Sequence, residues 1–516
     1  MRNTLTTIVV LIGFLFNSQA QEKENKVLYS DTIPRAEIST TTGTVQIDGE
    51  TIRYKAVAGT MEMRDIHNKP ACLFGYTAYT VDGSGSSQSS PKNKTNTRPI
   101  VFAFNGGPGS SSMWLHMGAL GPRRVLVNDP TFTPNAPYEI VNNSHSILDI
   151  ADLVMIDPVG TGLSVPLGKK EFKDFWGVDE DIESISHFIK QYLIENGRLN
   201  SPKYLLGESY GTFRNAGIMD HMQSGGIAFN GVIMVSAVFD LHSLMFPEGS
   251  DLSYIVHFPT FAATAWYHNE LENRPDSLEQ FLDDVRRFTE EEYAPALFKG
   301  DQITDEERSA IIVRLAKYSG ISDAIWRKAD LRLKAGEYFA ELLRDEGENV
   351  GRLDSRFRNI NQDLLGQNAD HDPFTAALMP PFGTAFLHYF YGELKVNPKL
   401  QYSLSAYSHE GFKWNWDHKG NMSWGTRTSI NTGPDLARAI TQNPHTKVLI
   451  MNSYFDLATV FYGVEYGINH LGLHPDIKKN IKMTYYKSGH MMYVHEPSFA
   501  QFKKDIFDFI QASSNL

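Results

Sequence analysis

The chain has 516 residues, of which 41% are hydrophobic and 12% aromatic, enough to build a large buried core. Its formal net charge of −12 argues against nucleic acid or an anionic membrane as the main partner. The one cysteine, Cys72, excludes an internal disulfide and suits a small buried position in a strand. The sequence holds no H-E-x-x-H pattern or Cys/His cluster, so neither a metal nor another cofactor is expected.

Residues 1–20 read as an export signal. Arg2 supplies a positive start, Leu5 to Phe16 an apolar run, and Ser18-Gln19-Ala20 a small-x-small cleavage site, giving a mature start near Gln21. No cysteine stands at that site, which argues against a lipid anchor. The apolar run is short for a membrane span, and no later stretch reaches about 18 apolar residues. An exported protein, periplasmic or secreted, is therefore expected. Asn93, Asn142 and Asn421 begin N-x-S/T sequons, which matter only on a eukaryotic secretory route.

After a polar tail to about Arg35, strand patterns cover 44–47, 52–57 and 71–80. Asp48-Gly49 marks a hairpin between the first two. A polar loop follows over 81–98. Four short apolar runs come next, at 100–104, 153–156, 204–206 and 231–235, each suited to a strand buried on both faces. Helical material separates them, notably Asp179 to Asn196, which implies a mostly parallel central sheet flanked by helices. The interval from about 244 to 390 is nearly free of strand signals. It holds the capping patterns Ser277-Leu278-Glu279-Gln280 and Thr304-Asp305-Glu306-Glu307, with Gly320 closing the second helix. This block reads as a helical cap inserted over a site. Strands at 447–451 and 481–485 and an amphipathic helix at 498–512 complete the chain. The expected domains are thus a signal at 1–20, a core at 21–243 and 391–516, and a cap insertion at 244–390.

Gly207-Glu208-Ser209-Tyr210-Gly211 sits between a strand and a helix. Strand, G-x-S-x-G, helix is a nucleophile elbow, and it predicts an aspartate, then a histidine, and a glycine-rich oxyanion loop in an α/β-hydrolase. A serine hydroxyl needs a base within hydrogen-bond reach and a third group to orient that base. Asp456 follows the strand 447–451 and His490 follows the strand 481–485, where such partners are needed. His495 competes with His490 but lies at the start of the last helix. Asn105-Gly106-Gly107-Pro108-Gly109 follows an early strand, and its amides suit a developing oxyanion. No lysine follows to make it a phosphate loop.

These residues resemble the serine carboxypeptidase family. The matching blocks are FNGGPGSSS at 104–112, DLVMIDPVGTGLS at 152–164, GESYG at 207–211 and SGHM at 488–491. The resemblance runs from about Tyr76 to the C-terminus and is closest to the family's bacterial branch, through FPTFAATAWYH at 258–268 and TYYKSGHMMYVH at 484–495. It implies Ser209 as nucleophile, His490 as base and then acid, and Asp456 as the orienting carboxylate. The amides of Gly107 and Tyr210 would form the oxyanion hole. Asn105 and Glu208 would hold the carboxylate of a peptide with a free C-terminus, and Met491 would touch the leaving group. Two close carboxyls can share a site only if they share a proton, so activity should fall as Glu208 ionises.

Three departures stand out. Ala103 replaces a tryptophan of the eukaryotic members, Ala119 replaces a second glutamate, and Ser110 replaces a cysteine. Half of the familiar carboxylate clamp is therefore absent. Arg123 or Arg124, after Gly121-Pro122, is a candidate substitute, although exposed solubilising arginines fit the same pattern. Trp414, Trp416 and Tyr462 suit either a substrate pocket or core packing. The leading expectation is an exported serine carboxypeptidase working through an acyl-enzyme. An esterase or acyltransferase with the same triad is the alternative, and a non-catalytic binding protein a more distant one.

Overall fold

The computed structural model describes residues 34–81, 97–419 and 430–514. The signal at 1–20, the start near Gln21, most of the polar loop 81–98 and the sequons at Asn93 and Asn421 lie outside these residues. Asn142 exchanges two hydrogen bonds with the Gln46 backbone, at 2.8 and 2.9 Å. Among the described residues no helix is long and apolar enough to cross a membrane.

One ten-stranded sheet organises the chain. Its strands are β1 (Ile38–Ile47), β2 (Glu50–Arg64), β3 (Pro70–Val81), β4 (Ile100–Phe104), β5 (Asp152–Ile156), β6 (Lys203–Glu208), β7 (Gly231–Val235), β8 (Lys447–Ser453) and β9 (Ile481–Tyr486). The short strand Val165–Pro166 pairs with β3. The spatial order is β1-β2-β3-β5-β4-β6-β7-β8-β9. The first three strands and the β3–β5 pair are antiparallel, and every later pair is parallel. Asp48-Gly49 turns β1 into β2 with Ile47 opposite Glu50, as the hairpin pattern requires.

Burial explains why the parallel strands read as unbroken apolar runs. Every residue of β4, β5, β6 and β7 is buried, because helices cover both faces. Alternation sends Val101 and Ala103 to one face and Phe102 and Phe104 to the other. The second face is covered by α1 (Val178–Glu195) and α2 (Tyr210–Ser224), through Ile182, Ile185, Phe188 and Phe213. Burying a ring such as Phe188 contributes roughly 1.5–3 kcal/mol.

Between β7 and β8 the chain builds a third hydrophobic cluster around α3 (Leu252–His268), α4 (Leu278–Phe288) and α5 (Asp305–Ser319). Thr304 and Glu307 form a reciprocal capping box, and Gly320 ends α5 in the left-handed region. Two features differ from the sequence pattern. A two-stranded ribbon pairs Glu348–Val350 with Arg358–Ile360, and its three-residue strands are too short to carry a pattern. The helix α6 (Pro373–Gly392) places Phe374, Leu378, Phe382 and Phe386 in the cluster on the Val101 face of the sheet, together with the C-terminal helix α7 (Glu496–Ser513). That apolar face assigns α6 to the sheet's own packing.

A buried ion pair locks α1 to α2. Arg214 Nε donates to Asp181 at 2.6 Å, with side chains 0% and 2% exposed. Arg214 also donates to the Asn105 carbonyl at 2.8 Å, and its guanidinium lies over the Phe104 and Tyr210 rings at 4.9 and 5.4 Å. Removing one partner of such a pair costs about 3–5 kcal/mol, because the other is left charged and buried. Asp181→Asn should therefore lower the free energy of unfolding, measured by denaturant titration, by about 3–5 kcal/mol. The double variant Asp181→Leu/Arg214→Met should lose clearly less.

Candidate active site

Ser209 occupies the turn between β6 and α2 at φ 60°, ψ −130°, a strained conformation for a side-chain-bearing residue. Three bonds hold it there. Its N–H donates to the Val235 carbonyl at 3.0 Å, while its carbonyl accepts from the N–H and hydroxyl of Thr212, both at 2.8 Å. A Cβ on Gly207 would lie 2.3 Å from the Gly211 carbonyl oxygen, so the turn closes only with glycine there.

Asp456 and His490 lie past the ends of the neighbouring strands β8 and β9. His490 Nδ1 is 2.7 Å from Asp456 Oδ2. Asp456 is fully buried and accepts three further bonds, from the N–H groups of Ala458 and Thr459 at 2.8 and 2.9 Å and the Thr459 hydroxyl at 2.6 Å. Burial alone would push the His490 pKa down. The adjoining Asp456 charge and hydrogen bond, with Glu208 adding to them, outweigh burial and hold it above the ordinary 6.5.

A short segment of the insertion, residues 352–356, threads between the two loops and bonds to both. His490 N–H donates to the Leu353 carbonyl at 2.7 Å, and Gly489 N–H to Asp354 Oδ2 at 3.2 Å. On the other side Leu457 N–H donates to the Arg352 carbonyl at 3.1 Å and Ser355 N–H to the Phe455 carbonyl at 2.9 Å. Arg356 fixes the segment from behind, reaching Asp354 at 2.6 Å, Asp129 at 2.8 Å and the Ser488 hydroxyl at 3.3 Å.

Glu208 is buried beside Ser209 and accepts from Asn105 Nδ2 at 2.7 Å. Its second oxygen has no hydrogen-bond partner. The buried Tyr493 hydroxyl is near enough to favour the ionised form, but the pair does not reach hydrogen-bond geometry. Burial dominates and raises the Glu208 pKa to about 7. Asn105 is itself oriented by the Leu115 N–H, which donates to Oδ1 at 3.0 Å.

The glycine-rich loop runs against the elbow. A Cβ on Gly106 would stand 2.5 Å from the Tyr210 amide nitrogen, so only glycine permits this approach. Asp157 anchors the loop's far end, accepting from the Ser112 N–H and hydroxyl at 2.8 Å each and from Tyr402 at 2.9 Å. Ala406 N–H donates to the Gly109 carbonyl at 2.7 Å. The amides of Gly107 and Tyr210 donate to no protein acceptor among the described residues.

These groups meet in one cleft of about 640 Å³, lined by Asn105, Gly107, Glu208, Ser209, Tyr210, His490 and Met491. The insertion adds His257, Phe339 and Arg352, and Trp416 lines it as well. Burial lowers the His257 pKa to about 4, so this imidazole is neutral at ordinary pH. Other candidates fall elsewhere. Arg123 does not reach the cleft, because its Nε donates to Glu393 at 3.1 Å. Arg124 pairs with Glu496 at 2.9 Å and lines a second cavity together with His495, whose Nδ1 is 2.8 Å from the Ser498 hydroxyl. The arginine substitute for the clamp is thus corrected: both side chains are held by surface glutamates. Trp414 packs edge-on against Tyr210 at 5.5 Å, and the Tyr462 hydroxyl donates to Glu290 at 2.8 Å. Arg352, Asp354 and His257 carried no sequence signal. Arg352 and Asp354 sit in a charged strip like any solvated face, and His257 precedes an apolar helical run.

A serine on a strained turn, a buried carboxylate–imidazole pair and free amides in one cleft define a serine hydrolase-type site on an α/β-hydrolase sheet. The serine carboxypeptidase family profile matches residues 87–503, and the chain belongs to that family. Over 178 residues it is 31% identical to pheromone-processing carboxypeptidase KEX1 of Saccharomyces cerevisiae, covering 31% of this chain. That alignment spans 23% of the relative's length. The crystal structure of a KEX1 prohormone-processing carboxypeptidase from Saccharomyces cerevisiae shares the fold. Its TM-score is 0.52 at 14% identity, covering 88% of this chain and 91% of that one.

The raised Glu208 pKa has a consequence for stability. Its ordinary value is 4.5 and in the fold it is about 7, so the folded chain binds this proton more tightly than the unfolded one. The stabilisation is full below about pH 4.5 and is lost as pH rises through about 7. Glu208→Gln should therefore gain stability relative to the wild type between about pH 4 and pH 9, by up to roughly 3 kcal/mol. Thermal or denaturant unfolding of both proteins at the two pH values checks this, and a pH-independent difference would contradict it.

Proposed function

We propose that this chain is a serine carboxypeptidase that removes C-terminal residues from peptides through an acyl-enzyme. The observation that carries the reading is Glu208. A buried carboxyl adjoining Ser209, hydrogen-bonded to Asn105 and protonated up to about pH 7, can accept a substrate carboxylate without opposing charge.

In this reading Ser209 Oγ attacks the scissile carbonyl carbon while its proton passes to His490 Nε2. Asp456 keeps the Nδ1–H facing it and stabilises the imidazolium. The amides of Gly107 and Tyr210 donate to the oxyanion of the tetrahedral intermediate. Collapse breaks the C–N bond as His490 returns the proton to the leaving amine, which departs as the C-terminal amino acid. Water then attacks the acyl-enzyme with His490 again as base, releasing the shortened peptide and restoring Ser209. Asn105 and Glu208 hold the terminal carboxylate until the C-terminal amino acid departs, and Met491 lines the leaving-group side. The apolar run and small-x-small site within residues 1–20 support action after export.

Free-acid peptides should lose most of their kcat/KM when the C-terminus is amidated, and Ser209→Ala should abolish turnover. For free-acid peptides kcat/KM should fall as pH rises through about 7, where Glu208 ionises. Glu208→Gln should remove that alkaline fall. Product analysis on paired free-acid and amidated peptides, followed by pH–rate profiles of wild type and variant, checks both expectations. Equal hydrolysis of acids and amides would point instead to a general serine hydrolase.

A further inference from the structure

Arg352 stands in the wall of the cleft with an exposed side chain. Its backbone is fixed on both sides: its N–H donates to Asp372 Oδ1 at 2.9 Å, and its carbonyl accepts from Leu457 at 3.1 Å. The guanidinium makes no ion pair or hydrogen bond among the described residues. Its neighbours in the same charged strip do. Arg356 is matched by Asp354 and Asp129, and Arg358 by Glu346 and Glu348. The arginine that faces the cleft is the one without an acidic partner.

Glu208 is the only carboxyl-bearing side chain lining this cleft among the described residues. It lies on Asn105 beside the nucleophile, and its surroundings are set by His490, Tyr493, Asn105 and Asp456. Arg352 is exposed and stands on the 352–356 segment, which bonds to the loops of Asp456 and His490. The two groups thus belong to different segments of the cleft wall. The wall of the cleft also carries the side chains of Leu353, Phe339, Phe374 and Tyr407, none of which bears an anion. A guanidinium in such a wall is best satisfied by a planar anion brought by the ligand, through paired N–H···O bonds.

We propose that Arg352 is a specificity-determining residue that recruits peptides carrying an aspartate or glutamate side chain next to the scissile bond. This rests on the carboxypeptidase reading, in which Asn105 and Glu208 already hold the terminal carboxylate. The enzyme is then selective for acidic tails, with one carboxylate read by a protonated acid and the other by a fixed cation.

The test compares N-blocked dipeptides bearing Glu or Gln, first on the acyl side of the bond and then in the leaving residue, with wild type, Arg352→Ala and Arg352→Glu. Wild type should favour Glu over Gln at one of the two positions by about tenfold in kcat/KM. The ratio should fall to about one in Arg352→Ala and invert in Arg352→Glu. A wild type without that preference, or a preference that survives Arg352→Ala, overturns the proposal. So does an equal loss on all free-acid peptides, which would assign Arg352 to the terminal carboxylate. A second readout needs no peptide hydrolysis: the rate at which Ser209 is labelled by fluorophosphonates bearing a carboxylate or its carboxamide. Faster labelling by the carboxylate probe, removed by Arg352→Ala, supports the selectivity even if no peptide is cleaved, in which case the carboxypeptidase reading alone falls. Cleaved peptides with no Arg352 effect in either readout sink the selectivity alone.

Discussion

The bond between Asp456 and His490 is the interaction around which the rest of the site is arranged. A carboxylate removed completely from water is costly unless donors surround it, and Asp456 has four: two amides, a hydroxyl and the imidazole. Three of these come from its own loop and fix its direction. The fourth then has little choice of place, so His490 is aimed by the carboxylate it stabilises. That is possible because β8 and β9 are parallel neighbours whose ends present both loops on one edge of the sheet.

The same exclusion of water acts on Glu208. In solvent its carboxyl would be ionised at neutral pH. Buried on Asn105 it keeps its proton to about pH 7. His490 and Glu208 each appear among the other's electrostatic neighbours, so their titrations belong to the pair and not to either residue alone. Burial thus ties the protonation of Glu208 to that of His490.

Much of this was legible in the sequence because it depends on local rules. The strands of the parallel sheet are short apolar runs, the elbow needs small residues about its serine, and helix α5 announces both ends through Thr304, Glu307 and Gly320. Asp456 and His490 could be placed because each lies just past a strand. What escaped depends on contacts distant in sequence. Nothing in Arg352-Leu353-Asp354-Ser355-Arg356 distinguishes a brace beneath His490 from an ordinary charged surface. Arg123 and Arg124 failed as clamp residues for the same reason, since their partners Glu393 and Glu496 are hundreds of residues away. The aromatic face of helix α6 joins the cluster on the Val101 face of the sheet, a packing that its position along the chain does not reveal.

The segment 352–356 has two connections. Its main chain holds the loops of Asp456 and His490, while the side chain of Arg352 lines the cleft. The third hydrophobic cluster reinforces this link, because it includes Tyr454, Phe455, Leu457 and Phe461 from around Asp456 alongside the insertion's own helices. Displacing this segment would break the bonds that the Leu353 and Arg352 carbonyls accept from His490 and Leu457, so the backbone of 352–356 and the placement of the imidazole are coupled.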